Sequence, residues 1–231
     1  MTGAPAIAVV VPFVDEAAAL PATLAALASA LRVSPVAIEV VAVDSGSRDA
    51  SRTVLEDAGV RTIEAARGRA AQMNAGARAT AAPVLLFLHA DTLLPADAFA
   101  AIAGAAREPG FVYGGFRHRF DGDDRRLAWI SRLHNFRCAK AKTFYGDQAM
   151  FCAREAFERA GGFPDGPVED IVLCQRLRTL GEPAFIDREV VTSARKFVAM
   201  GVWRSFARVL AILVCHRAGW PLPRAFFTDV R

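Results

Sequence analysis

The first hundred positions alternate between short β-branched runs and longer alanine-rich stretches whose leucines recur at helical spacing, a pattern that predicts βαβ units around a parallel sheet. Residues 7–11 read as a strand. Residues 15–31 read as a helix, with Leu20, Leu24, Leu27 and Leu31 on one face and Asp15 as its N-cap. A second strand at 38–43 runs into the turn Asp44-Ser45-Gly46-Ser47. A helix at 48–58, a short strand at 61–64, a helix at 70–79 and a wholly apolar strand at 84–88 follow, the last needing cover on both faces.

Beyond a helix at 95–107 the pattern becomes less regular. Residues 112–120 alternate in the manner of an antiparallel or edge strand, and 144–152 read as a short strand beside a loop. Gly161-Gly162 stops a helix at 154–160, and Gly181 closes another at 168–180. A strand at 189–192 and a helix at 202–218 complete the chain.

With 231 residues, 53% of them hydrophobic, the chain can bury the core of one domain, and no repeat or low-complexity tract divides it. Cys138, Cys152, Cys174 and Cys215 lack C-x-x-C spacing, so buried free thiols in a reducing compartment are expected rather than a disulfide scaffold or a zinc site. Met1 to Pro5 carry no Lys or Arg ahead of the apolar run, and the most apolar late stretch, 209–215, is too short to span a bilayer. The expected location is therefore the cytoplasm.

In an open parallel sheet, ligands bind beyond the carboxyl ends of the strands. Those ends are acidic here: the first strand leads to Asp15 and Glu16, the second to Asp44, and the strand at 84–88 to His89-Ala90-Asp91. One such residue can merely cap a helix, but three strand ends together favour a ligand site. Pro12-Phe13-Val14-Asp15-Glu16 replaces a G-x-G-x-x-G turn and no G-x-x-x-x-G-K-[ST] occurs, which disfavours dinucleotide and P-loop sites. Carboxylates accept an anionic diphosphate only through a divalent cation, so Mg²⁺ or Mn²⁺ is expected. Arg67 and Arg69 around Gly68 offer fork-shaped donors to phosphate, against the alternative of a solvated basic loop. Asn74 is a poor mid-helix choice and is expected to make a polar contact with the ligand.

Val10-Val11-Pro12 with Asp15-Glu16, Val43-Asp44-Ser45-Gly46-Ser47 with Asp49, Leu88-His89-Ala90-Asp91, Gly161-Gly162-Phe163 and Glu169-Asp170 occur in that order, and together they resemble the inverting family 2 glycosyltransferases of GT-A fold over residues 6–200. The strings Phe87-Leu88-His89-Ala90-Asp91-Thr92, Tyr145-Gly146-Asp147-Gln148 and Thr192-Ser193-Ala194-Arg195 look most like a small bacterial subgroup with an LHADT-type metal motif. The resemblance implies a single α/β domain with a Rossmann-like, mostly parallel sheet. It implies transfer of a sugar, with inversion, from a nucleotide-diphosphate sugar to a hydroxyl acceptor.

By the same resemblance Asp44 contacts the base or ribose, Asp15 or Glu16 lines the nucleoside pocket beside Pro12 and Ala90, and Asp91 holds the metal. The part of the ligand that Asn74 meets would then be its nucleoside. His89 stands where the usual D-x-D pattern has its first acid, so direct ligation by its imidazole and a supporting role both remain open. Tyr145, Asp147 and Gln148 would meet acceptor or sugar. Arg195, in the segment Arg195-Lys196-Phe197, would approach the pyrophosphate. Glu169 and Asp170 can stabilise a helix N-terminus without chemistry, but inversion needs a carboxylate base, and the resemblance assigns that role to Asp170 beside Glu169. The competing readings are a nucleotidyltransferase, which normally has a glycine- and basic-rich loop after the first strand, and a nucleotide-sugar-binding protein without catalysis.

The chain's charge of +4 is unevenly placed: residues 195–231 hold seven Arg and Lys against Asp229 alone, so the rest is slightly acidic. Residues 1–200 are thus read as the catalytic domain and 201–231 as a basic amphipathic helix and tail. Trp203, Phe206, Leu210, Leu213 and Val214 form its apolar stripe, followed by Trp220-Pro221-Leu222-Pro223. Such a helix suits the inner face of a membrane, where a lipid-linked acceptor would lie, or a second copy of the chain. No nucleic-acid recognition motif accompanies the basic residues.

Overall fold

The computed structural model describes residues 4–166 and 168–221. An eight-stranded mixed sheet runs in the order β3-β2-β1-β4-β7-β6-β8-β5. The strands are β1 (Ile7–Phe13), β2 (Ile38–Asp44), β3 (Arg61–Glu64), β4 (Val84–Phe87), β5 (Thr92–Leu93), β6 (Tyr113–Phe120), β7 (Phe151–Ala153) and β8 (Pro183–Thr192). The first four are mutually parallel, as the alternating pattern predicts. β7 pairs antiparallel with β4 and β6, and β8 runs parallel to β6.

Helices cover both faces because the strands are apolar on both. In β1, Ile7, Val9, Val11 and Phe13 enter one core with Leu20 and Leu27 of α1 (Leu20–Arg32), Leu55 of α2 (Ser51–Asp57) and Phe99 and Ile102 of α4 (Ala98–Arg107). Ala8 and Val10 point the other way, onto Met73 of α3 (Arg69–Arg78), Phe157 of α6 (Arg154–Arg159) and Leu173 and Leu177 of α7 (Glu169–Arg178). Alternate residues of one strand thereby nucleate two cores. A Cβ at Gly76 would overlap Val10, so the glycine lets α3 lie close on β1.

Several elements depart from the sequence reading. Asp15 is not an N-cap: it adopts φ 53° in a turn, and α1 begins only at Leu20, after Ala19. Residues 144–150 are not strand; a 3₁₀ turn, Gly146–Gln148, precedes β7. β6, read as an antiparallel or edge strand, is antiparallel to β7 but is no edge, since along its length it also pairs with the parallel β8. A 17-residue helix, α5 (Arg125–Ala141), stands where no helix is expected, capped by the Asp124 carboxylate accepting from Arg126 N–H at 2.8 Å.

A short helix α8 (Arg195–Ala199) leads to α9 (Val202–Ala218), which matches the predicted span. A small third core of Leu127, Ile130, Ala194 and Val202, flanked by Phe120, Phe197 and Phe206, binds α9 to α5 and the sheet. The end of the basic tail, from Leu222 through Arg224 and Asp229, lies outside the described residues. All four cysteines are free; three are buried and Cys215 is half-buried. Among the described residues no helix is long and apolar enough to cross a membrane.

Candidate active site

The parallel strands end on one side of the sheet, and a cavity of about 610 Å³ opens there. Pro12 and Glu16 after β1, Ser45 after β2, and His89, Ala90 and Asp91 after β4 form one wall. Arg67, Gly68, Arg69 and Gln72 form a second, and Tyr145, Asp147, Asp170, Lys196 and Phe197 close it. The switch-point position is where an open α/β sheet holds its ligand.

Gln72 explains why the strand ends stay together. Its Nε2 donates to Phe13 O and Val43 O, both at 2.7 Å, tying β1 to β2 beneath the cavity. Asp44 is buried and fully occupied below the surface: one oxygen accepts from Gly46 N–H, Ser47 N–H and Ser47 Oγ, and the other lies 3.2 Å from Arg52 Nε. Asp15 accepts from Arg48 N–H at 2.7 Å and faces outward. These two carboxylates shape the β1 and β2 loops and do not line the cavity.

Other expected ligand contacts are bound to protein partners. Asn74 does not reach the cavity; its amide donates to Phe163 O at 2.8 Å and its oxygen accepts from Phe163 N–H at 3.0 Å, bracing the Gly161-Gly162-Phe163 loop against α3. Gln148 is wholly buried, accepting from Tyr145 N–H and donating to Phe116 O. Glu16 forms ion pairs with Arg195 and with Lys196, the latter at 2.5 Å. The Arg195 guanidinium is therefore held at Glu16, while Lys196 lines the cavity, 3.5 Å from Asp91. Lys196 is the residue of the basic segment that faces the strand ends.

At the far wall the first turn of α7 presents a pair of buried acids, Glu169 and Asp170. Glu169 lies 3.5 Å from Arg69. Asp170 Oδ2 accepts from Gly146 N–H at 3.1 Å, and Oδ1 has no hydrogen-bond partner among the described residues. Burial, and then the neighbouring charge of Glu169, push the Asp170 carboxyl up to about 7, against the pull of Arg69 and the Gly146 N–H. A carboxyl so placed takes and returns protons near neutral pH.

Three histidines that the pattern did not single out together, or at all, converge here. His118 and His134 bring Nε2 atoms to 3.9 Å from the two oxygens of Asp147, beyond hydrogen-bond reach, and His89 packs against Gly146. Burial pushes His89 down to about 3 and His134 to about 4, so both are neutral at physiological pH. Nothing in the sequence links positions 118, 134 and 147; only the pairing of β6 with α5 and the 3₁₀ turn brings them together. Arg137 on α5 donates to Tyr145 Oη at 2.6 Å and stacks 4.9 Å from its ring centre, fixing that ring in the wall.

No group of three or more His, Cys, Asp or Glu among the described residues is arranged to hold a metal ion unaided. The donors present fit a hard cation arriving with phosphate oxygens, for which one or two carboxylates suffice. Asp91 is the carboxylate in place for that. His89 Nε2 is buried, packed against Gly146 and without a hydrogen-bond partner among the described residues.

Comparison with known proteins bears on the whole fold. The chain is 21% identical to a mannosyltransferase from Pyrobaculum calidifontis solved with GDP-Man and Mn²⁺, with a TM-score of 0.68 over 99% of this chain and 68% of that one. Glucosyl-3-phosphoglycerate synthase from Mycobacterium tuberculosis, solved with Mn²⁺, UDP and glucosyl-3-phosphoglycerate, is 18% identical, with a TM-score of 0.66 over 94% of this chain and 81% of that one. TarS from S. aureus, solved with UDP-GlcNAc, is 14% identical, with a TM-score of 0.63 over 81% of this chain; only 58% of TarS is spanned. At these identities the likeness is one of fold. No curated protein sequence matches the chain. The model of the glycosyl transferase family 2 matches residues 8–160, two thirds of the chain, so this protein belongs to that family and is a glycosyltransferase of GT-A fold.

Proposed function

We propose that the protein transfers a sugar, with inversion, from a nucleotide-diphosphate sugar in the strand-end cavity to an acceptor hydroxyl, with Asp170 as general base. One observation carries the reading: a buried carboxylate of raised pKa lines the strand-end cavity, with one oxygen fixed by Gly146 and the other unpartnered. That oxygen accepts the acceptor's proton as its hydroxyl attacks the anomeric carbon. The bond from that carbon to the diphosphate oxygen breaks on the opposite side, and the nucleoside diphosphate leaves with the bonding pair.

Arg67, Arg69 and Lys196 supply positive charge around the departing diphosphate, and Asp91 is the residue that would hold Mg²⁺ or Mn²⁺. When bound, the cation neutralises phosphate charge that the site's carboxylates would otherwise repel. The Mn²⁺ and nucleotide sugars held by the structural relatives support this assignment of the cavity. Tyr145 and Asp147 stand beside Asp170, on the acceptor side. Glu169 holds Arg69 next to the base and adds the charge that keeps its pKa high.

The basic C-terminal part, residues 201–231, extends the transferase at a membrane surface. Trp129 on α5 and Trp203 on α9 are about half exposed and meet edge to face, 6.1 Å between ring centres, a pattern suited to an interfacial helix pair. Flotation with anionic vesicles tests that contact; a dimer in solution that fails to float would favour the second-copy reading instead.

The transfer itself is tested by a thermal-shift panel of UDP- and GDP-sugars with and without Mn²⁺, followed by proton NMR of the product's anomeric centre. Stabilisation that requires the cation, and a product of opposite anomeric configuration, are expected. Indifference to every nucleotide sugar, or a product of retained configuration, contradicts the proposal.

A further inference from the structure

A second cavity, of about 680 Å³, opens on the other side of Asp170. It shares Arg69, Tyr145, Asp147, Asp170, Lys196 and Phe197 with the strand-end cavity, so the two are continuous through the proposed reacting centre. Away from that junction its wall changes character. Ile130 and Leu133 of α5 face Phe206, Val209, Leu210 and Leu213 of α9 across it. A pocket of this size, apolar over its body and polar at one end, has the form of a small-ligand site.

From this geometry, and resting on the transfer reading above, we infer that the acceptor is a neutral alcohol carried on an apolar body. The body lies between α5 and α9, and the hydroxyl reaches Asp170 Oδ1. Three observations select this occupant. The polar end holds Asp170 Oδ1, Asp147 Oδ1 and His134 Nε2, which have no hydrogen-bond partner among the described residues and which a hydroxyl can satisfy. Away from the junction the lining is apolar apart from Ser205 and Arg208, which donate to Phe197 O and Met200 Sδ, so most polar groups of a sugar or a phosphorylated metabolite would be left unpaired there. The positive charge of Arg69 and Lys196 is shared between their ion pairs with Glu169 and Glu16 and the donor's diphosphate, Arg137 is bound to Tyr145, and Arg208 on the cavity wall donates to Met200 Sδ at 2.9 Å. The carboxylates Asp147, Glu169 and Asp170 stand at the same end, which disfavours a second anionic group on the acceptor.

The test uses n-alkanols from hexanol to decanol as acceptors, with the nucleotide sugar that most stabilises the protein as donor, and measures both transfer and binding by displacement of an apolar fluorophore. Apparent affinity should rise about fourfold per methylene, the fold-change equivalent to ~0.8 kcal/mol for each buried CH₂. Leu213→Glu places a charge on the cavity wall and should weaken decanol at least tenfold in both assays. Val214→Glu, at the exposed neighbouring position, should not. Retained cation-dependent stabilisation by the donor in Leu213→Glu shows that this variant is folded. Equal use of glycerol and decanol, absence of the chain-length trend, or transfer to decyl phosphate in preference to decanol would each overturn the inference while leaving sugar transfer standing. Displacement by decanol in a protein that transfers to no acceptor would overturn the acceptor role and the transfer reading together.

Discussion

The backbone N–H of Gly146 donates to Asp170 Oδ2 at 3.1 Å, and the same glycine packs so closely on the His89 ring that a Cβ would overlap it. One residue thus couples the segment that follows β4, where Asp91 stands, to the carboxylate proposed as base. Gly146→Ala should force His89 or the 3₁₀ turn to move, costing about 1–3 kcal/mol of stability. Turnover should fall at least tenfold because the Asp170 contact shifts. Urea unfolding read alongside kcat checks this; unchanged kcat would show that the contact does not position the base.

The pH dependence has a definite sign. A base that must be ionised, with its pKa raised to about 7, makes kcat rise with pH and level off above that value. Stability runs the other way. The folded pKa lies above the ordinary value of 3.8, so this group's contribution is fully present below about pH 4 and is lost as the pH rises through about 7. Asp170→Asn cannot ionise and should melt a few degrees above the native protein at pH 8, with the difference vanishing near pH 4, on a scale of roughly 2–4 °C per kcal/mol. Melting scans at the two pH values decide it.

Asn74 tests the difference between bracing and binding. Losing its two hydrogen bonds to Phe163 should cost about 1–3 kcal/mol in the Asn74→Ala variant and leave the donor's KM within a factor of two. A tenfold rise in KM with unchanged stability would return the residue to the nucleoside pocket.

Asp91 is the proposed cation ligand, and its removal should uncouple metal from donor. With Asp91→Asn, Mn²⁺ should no longer enhance stabilisation by the nucleotide sugar, and turnover should fall at least a hundredfold. Full Mn²⁺ dependence in that variant, followed by thermal shift, would place the cation elsewhere.

Much of the architecture is legible in periodicity, because β1, β2 and β4 are strongly apolar runs and α1 between β1 and β2 carries leucine at regular spacing. The helix α5 is not: its buried face is only Leu127, Ile130, Ser131 and Cys138, interrupted by Arg and Lys, so no apolar stripe marks it. Its partners Phe206 and Val202 lie some seventy residues on, and tertiary packing supplies what local pattern does not. The stretch 144–150 looks like a strand because Phe144 and Met150 are core residues, yet their burial comes from packing under α7 and β4, not from sheet pairing.

The site shows the same division. Motif position marks Asp91, Arg69, Tyr145, Asp147 and Asp170, all of which meet at the cavities. It cannot tell a polar side chain free to meet a ligand from one held by the protein: Asp44 is bound within its own turn, Asn74 braces Phe163, and Glu16, though in the cavity wall, is paired with Arg195 and Lys196. A polar residue at a strand end has both uses open until the backbone donors and cations around it are known.

Single-turnover transfer by Asp170→Asn, measured beside donor affinity in the same preparation, tests the role of Asp170 as base most directly. Asparagine keeps the size of the side chain and a carbonyl oxygen for the Gly146 N–H but cannot take the acceptor's proton. Transfer slowed by about 10²–10⁴, with donor and Mn²⁺ affinity unchanged, is the predicted result. Transfer within threefold of the native rate would contradict the assignment of Asp170 as the base.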